Sequence, residues 1–268
     1  MVDVPAFIWV LTLAGITGLT GMTSFVLYRG AKLAGATRRS AVGLGAATAA
    51  VLGAWFTATG VIAAHDGYLS GHGHISFLPF AFAGSLIAFL AATRIPLVSR
   101  ALHAPGMLHR LEWPHAFRVV GIVFLIMMAL GRLPALFALP AGLGDIATGL
   151  AAPFVARRLA RGTGHRLAVR FNLFGMLDLV TALTLALLMG AHVIDVTPSA
   201  RAITEAPLAL IPTAAVPLLL TLHITSLRRL KALERGRKGT AGSTTPNTEA
   251  ALVHSAASAA HNDSRSAS

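Results

Sequence analysis

Seven apolar stretches, each near the ~20 residues that a ~30 Å hydrocarbon core requires, fill this chain up to about residue 225. Short runs of arginine separate them. In lipid every backbone N–H and C=O must find its partner within the protein, so stretches of this length are read as spanning helices. They cover roughly residues 4–28, 41–64, 75–98, 117–130, 139–156, 171–189 and 208–226, with Arg132, Pro134 and Pro140 interrupting the boundary between the fourth and fifth. The pattern predicts an all-α integral membrane bundle of seven transmembrane helices over residues 1–235. Residues 236–268, rich in Ser, Thr, Ala, Gly and Asn, are expected to form a disordered cytoplasmic tail.

The loops then set an orientation. Arg29, Lys32, Arg38 and Arg39 follow the first span; Arg94, Arg100, Arg110 and Arg118 follow the third. Arg157, Arg158, Arg161, Arg166 and Arg170 follow the fifth, and Arg228, Arg229, Lys231, Arg235, Arg237 and Lys238 follow the seventh. The alternate loops hold only Arg132 and Arg201. Basic loops stay on the cytoplasmic side, so the N-terminus is expected outside and the C-terminus inside. Asp3 precedes the first span and basic residues follow it, the reverse of a secretory signal, which predicts an uncleaved helix.

Composition narrows the function. The chain is 55% hydrophobic and 12% charged, about half the charge of an ordinary soluble domain, so lipid is its solvent. The net charge of +12 is spread over loops rather than gathered on one face. It is matched to anionic headgroups, and nucleic acid is not an expected partner. The absence of cysteine excludes disulfides, thiol nucleophiles and iron–sulfur clusters. All but three of the 22 basic residues are arginine and alanine is abundant, a composition of GC-rich bacterial genomes. The expected location is therefore the inner membrane of a bacterium.

Small residues mark close helix packing. Ala46, Ala50, Ala54 and Ala58 recur every fourth residue in the second span, with Gly53 and Gly60 nearby, and the first span carries Gly15, Gly18 and Gly21. Such spacing lets helix backbones approach. It predicts that spans one and two pack together, with a homo-oligomer or a membrane partner protein as the alternative neighbour. Pro207, Pro212 and Pro217 are expected to kink the seventh span.

Two aspartates, Asp145 and Asp178, lie inside spans, where a charge costs roughly 2.5–3.5 kcal/mol and calls for a partner or a task. Counted at ~1.5 Å per residue, Asp145 stands roughly 18 Å above the inner edge and Asp178 roughly 10 Å. Arg118 starts the fourth span at that edge, and Arg132 ends it roughly 21 Å higher. These depths pair Arg132 with Asp145 and Arg118 with Asp178, the latter near Asn172 and His223. Gly142, Gly144 and Gly149, with Pro140 before them, predict an irregular or broken helix around Asp145. The set serves either as structural ion pairs or as a proton or cation site in a translocation path.

No catalytic set is read, and no cofactor is expected. His65, Asp66, His72 and His74 crowd the first outer loop at spacings that suit a divalent metal. Haem would need facing histidines inside the bundle, and retinal would need a lysine within a span. Lys32, Lys231 and Lys238 all lie outside.

Two resemblances follow from these motifs. Gly142-Leu143-Gly144-Asp145 resembles the Gly-x-Gly-Asp motif of presenilin-like intramembrane aspartyl proteases, and Pro134-Ala135-Leu136 resembles their Pro-Ala-Leu element. In that family the second aspartate comes first and Pro-Ala-Leu last; here the order is reversed. The depths also hold the two carboxylates roughly 8 Å apart, too far to share a proton. Residues Phe117–Asp178, through Gly131-Arg132-Leu133-Pro134, Phe137–Asp145 and Asn172–Asp178, resemble an uncharacterised family of bacterial multi-pass membrane proteins. Ile211-Pro212-Thr213, Val216-Pro217 and His223 extend that likeness, which implies no activity. The expected function is a small transporter or ion-coupled permease; the alternatives are a non-catalytic scaffold or accessory subunit and, remotely, an intramembrane protease.

Overall fold

A computed structural model describes residues 4–69 and 76–242, the stretch 237–242 by its backbone alone. Among the described residues the chain is helical throughout, without strands. In order come α1 (Ala6–Leu33), α2 (Arg38–Ala64), α3 (Leu78–Ala92) and α4 (Pro96–His103). A 3-10 helix, Leu108–Gly121, leads into α5 (Ile122–Ala129), followed by α6 (Ala135–Ala160) and α7 (His165–Gly190). A short 3-10 turn, Ala200–Thr204, and a π-helical turn, Ile211–Ala215, precede α8 (Val216–Gly242). Six of these segments are long and apolar enough to cross a membrane, or seven if α3 and α4 together count as one broken span.

The chain divides into two units after Leu227, the second beginning at Arg228. Helix α8 continues to Gly242, into the segment expected to lack structure. Residues 243–268 lie outside the described residues.

Proline accounts for most departures from straight helices. The third span, expected as one rod over 75–98, bends by 78° between α3 and α4. Pro96 opens α4, and the residue before a proline is pushed out of the α region; Ile95 accordingly sits at φ −58°, ψ 129°. In the seventh span Pro207 lies in the turn before the helix, Pro212 lies in the π-helical turn and Pro217 in the first turn of α8. Pro217 has no N–H to offer the Thr213 carbonyl four residues back. The Ser85 hydroxyl of α3 stands 2.8 Å from that carbonyl and 2.6 Å from the Ala81 carbonyl of its own helix, and its one proton serves one of the two.

Helix α6 shows the opposite outcome. It runs unbroken past Pro140, Gly142, Gly144 and Gly149, against the expectation of a break near Asp145. Its glycines serve approach rather than irregularity. On the face toward the 3-10 helix stand Ala138, Ala141, Gly142, Asp145, Thr148, Gly149, Ala152 and Ala156, all buried. A methyl group placed on Gly149 would meet the Val119 backbone nitrogen at 2.6 Å, so the two backbones pack against each other directly.

The small-residue stripe of α2 is placed differently from its expectation. Ala46, Ala50, Ala54 and Ala58 are all exposed, while α2 packs on α1 through Ala41, Leu52 and Phe56, and Ala63 packs with Tyr68, Leu78 and Ala209. The larger side chains of α2 fill the core, and the alanines are left facing away from α1.

This packing can be tested with a matched pair of variants. Gly149→Ala is expected to cost about 1–3 kcal/mol by overpacking, lowering the thermal unfolding midpoint in detergent. Gly43→Ala, where nothing lies within 4 Å of the added methyl, should leave the midpoint unchanged or raise it slightly.

Candidate functional site: a buried polar column

The 3-10 helix sets the geometry of the site. With three residues per turn, residues three apart eclipse one another, whereas an α-helix would rotate them by about 60° at each step. Glu112, His115, Arg118 and Gly121 therefore form one straight row, and all four are buried. The row rises ~6 Å per step, so Glu112 and Arg118 are separated by ~12 Å along the axis. Helices α6, α7 and α8 present their polar residues to it.

Arg118 is the centre of the column. Its Nε donates to Asp145 Oδ1 of α6 at 2.7 Å, and its Nη2 donates to Asp178 Oδ2 of α7. Nη1 donates to the Gly175 carbonyl at 3.2 Å and approaches His223 Nε2 of α8 at 3.3 Å. The arginine side chain is 1% exposed, those of Asp145 and Asp178 13% and 8%. Two glycines make room for this convergence. A methyl group on Gly144 would collide with the Asp178 carboxylate, and one on Gly175 would lie 2.5 Å from His223 Nε2.

The column continues from His223 toward Glu112. A guanidinium has donors only, so His223 Nε2 accepts from Arg118. In the neutral ring the proton then sits on Nδ1, which donates to Asn172 Oδ1 at 2.8 Å. The amide of Asn172 faces the Ala168 carbonyl at 2.8 Å, Glu112 Oε1 at 3.0 Å and Ser226 Oγ at 3.3 Å. It has two hydrogens, which the nearer two acceptors take. Ser226 Oγ spends its own proton on Glu112 Oε1 at 2.5 Å. His115 stacks on His223 at 3.8 Å and meets the edge of Phe171 at 5.8 Å. A single run of hydrogen bonds thus links Glu112 to both aspartates.

Five of the six residues expected in the intramembrane site come together here: Asp145, Asp178, Arg118, Asn172 and His223. The pairing differs from expectation, because Arg118 takes both aspartates and Asp145 is not tied to Arg132. Counting the fourth span from Phe117 puts Arg118 at the membrane edge. The helix begins instead at Leu108, so Arg118 stands ~20 Å along it, level with Asp145. Arg132 lies in the turn before α6, and ~15 Å of helix separates Ala135 from Asp145. Both carboxylates meet the one guanidinium. They converge across it rather than on a shared proton.

Glu112 and His115 are absent from the expected set because residues 99–116 read as an inner loop. The signal that finds them is the three-residue spacing Glu112-x-x-His115-x-x-Arg118, which is polar on one face only if the segment is helical with period three. His65 and Asp66 end α2 and are exposed, whereas His72 and His74 lie outside the described residues. Among the described residues no cluster of three or more His, Asp or Glu side chains is arranged to hold a metal.

Two small cavities flank the carboxylates. One, about 50 Å³, is bounded by Arg118, Asp145, Gly121 and apolar residues of α1 and α8. The other, about 30 Å³, touches Asp145 and Asp178 and extends to Ala186 of α7 and Ile203. At ~10–15 Å³ per water, each holds at most a few water molecules or a dehydrated cation.

One family model, described as Domain of unknown function (DUF8737), matches residues 75–231, more than half the chain and the whole of the polar column. No curated protein and no solved structure matches the sequence.

The central contact has a measurable signature. Arg118→Met strands two buried carboxylates and is expected to cost about 3–5 kcal/mol. Adding Asp145→Asn and Asp178→Asn to it should restore most of the loss. Thermal unfolding of the single and triple variants in detergent measures both effects; equal losses in the two would contradict the pairing.

Proposed function

The chain belongs to this family of unknown function, and from that premise we propose that it is a multi-pass permease driven by a proton or a monovalent cation. In this reading α3 and α4 together make one broken span, giving seven, with the N-terminus outside and the C-terminus inside. The arginine-rich loops support that orientation by their alternation, and a bacterial inner membrane is its setting. The lipid bilayer is the one partner the reading requires.

The observation that carries the proposal is the charge balance at Arg118. Two carboxylates converge on one guanidinium in a region where an uncompensated charge is costly. One negative charge is left over, and a proton or a dehydrated cation beside Asp178 answers it. Such a site binds its ion without a permanent counter-charge and can release it when the surroundings change. The flanking cavities give the ion room at Asp145 and Asp178. Asp178 is the residue assigned to ion binding, Asp145 its companion, and Arg118 the fixed cation that keeps the pair from needing two ions.

A second reading follows from the same geometry. The column ties the 3-10 helix to α6, α7 and α8, as a scaffold or accessory subunit would require. In that case the charges only lock the bundle.

The two separate in sealed vesicles containing the purified protein, a trapped pH indicator and, in a parallel set, a sodium indicator, under an imposed membrane potential. The permease reading expects ion entry faster than in protein-free vesicles, abolished by Asp178→Asn with a thermal midpoint close to that of the parent. No ion entry, together with a lowered midpoint in Asp178→Asn, supports the scaffold.

A further inference from the structure

A cleft on the side of the bundle away from the polar column has its own chemistry. Helices α2 and α3 follow each other in the chain and share apolar clusters, Leu52 and Phe56 with Phe82, Leu86 and Phe89, and Ala63 with Leu78. Between them lies a cavity of about 250 Å³. Its inner wall is α1 (Val26, Leu27) and α8 (Leu218, Leu222), and α4 crosses one end through Val98 and Leu102. The 78° bend after α3 opens this space, because a straight third span would not carry α4 across it. The cleft opens sideways: Val51 and Ile95 on its rim are 63% and 52% exposed.

The lining dictates what fits. Five threonines line the cleft, and four of them spend the hydroxyl on a carbonyl of their own helix. Thr48 donates to Leu44, Thr93 to Leu90, Thr221 to Pro217 and Thr225 to Thr221, at 2.6–2.9 Å. These four ask for no further hydrogen bond, and the fifth, Thr23, is buried with a hydroxyl that has no partner among the described residues. A packed interior does not leave such a space without contacts, since its lining would forfeit dispersion energy on one side. A 150 Å³ apolar cavity accepts a benzene-sized molecule, so this one suits roughly ten methylene carbons.

Charge defines the other part of the ligand. At the end of the cleft Arg94 stands between two lining residues, Thr93 and Ile95, and is exposed. Arg100 lies between Val98 and Leu102 on α4, its Nε held by the Pro96 carbonyl at 3.3 Å and its remaining donors turned outward. Arg38 and Arg39 open α2, about 8 Å before Leu44 of the cleft wall. Arginines thus adjoin lining residues of α2, α3 and α4, a charge that suits an anionic head beside an acyl chain.

We propose that the cleft between α2 and α3 is a binding site for one phospholipid with an anionic headgroup, an acyl chain lying along Val26, Leu218 and Leu222 and the phosphate at Arg94. The bound lipid fills the space that α1, α2, α3, α4 and α8 leave open. The site requires the helices to lie in a membrane and is independent of ion transport.

Native mass spectrometry of the full chain in mild detergent tests it, with phosphatidylglycerol and phosphatidylcholine of identical acyl chains as probes. The parent protein is expected to retain one phosphatidylglycerol at least several-fold better than phosphatidylcholine. Arg94→Gln should remove that preference, and Ala92→Phe, which fills the cleft, should remove retention of both. Ala47→Phe, on an exposed stretch of α2, provides the same blockage where Ala92→Phe does not fold. Equal retention of the two lipids by the parent, or parent-like retention by a cleft-filling variant that folds, would overturn the site.

Discussion

Arg118 is gripped by Asp145 from α6, Asp178 from α7, and Gly175 O and His223 from α7 and α8, so one guanidinium joins the helices that enclose it. In water such an ion pair contributes little, because solvent competes for every donor. The helices here are long and apolar enough to cross a membrane, where no such competitor exists and each buried charge must be answered by the protein itself. The rest of the architecture follows from that demand. Gly144 and Gly175 are bare so that carboxylate and imidazole can reach the arginine. Small residues along α6 let its backbone approach the 3-10 helix that carries Arg118.

The 3-10 conformation converts a sequence spacing into a column. An α-helix would turn Glu112, His115 and Arg118 progressively away from one another, sending at least one toward lipid. At three residues per turn all of them face α6, α7 and α8. Asn172 is the hinge between the halves of the column: its carbonyl satisfies His223 and its amide satisfies Glu112. Both orientations follow from Arg118 having only donors, so the arginine fixes the proton positions of groups it does not touch.

Much of this was legible in the sequence. Apolar length and the basic loops gave the helices, and the cost of a buried charge picked out Asp145, Asp178 and their arginine. The misreading came from a boundary. Residues 99–116 contain Pro105, Gly106, Pro114 and several polar side chains, which read as a loop, and cutting the span at Phe117 moved Arg118 to the membrane edge. Arg132 then became the nearest partner for Asp145 by default. Span composition does not reveal a 3-10 segment, whose polar row is diluted by Leu111, Trp113 and Phe117 on its other faces. The glycines near Asp145 misled for a related reason: backbone irregularity and close helix approach use the same residue, and only the neighbour at Val119 distinguishes them. The exposed alanines of α2 show the converse, a packing pattern whose face turns away from the helix expected to meet it.

Solid-state NMR of the protein in lipid, with nitrogen-15 in arginine and carbon-13 in the aspartate carboxyl groups, tests the Arg118 bridge directly. Dipolar contacts between a guanidinium and two aspartate carboxylates should be present in the parent protein, lost in Arg118→Met and unchanged in Arg132→Met. Contacts that survive Arg118→Met and vanish in Arg132→Met would contradict the account, because Asp145 would then belong to the arginine at the head of α6.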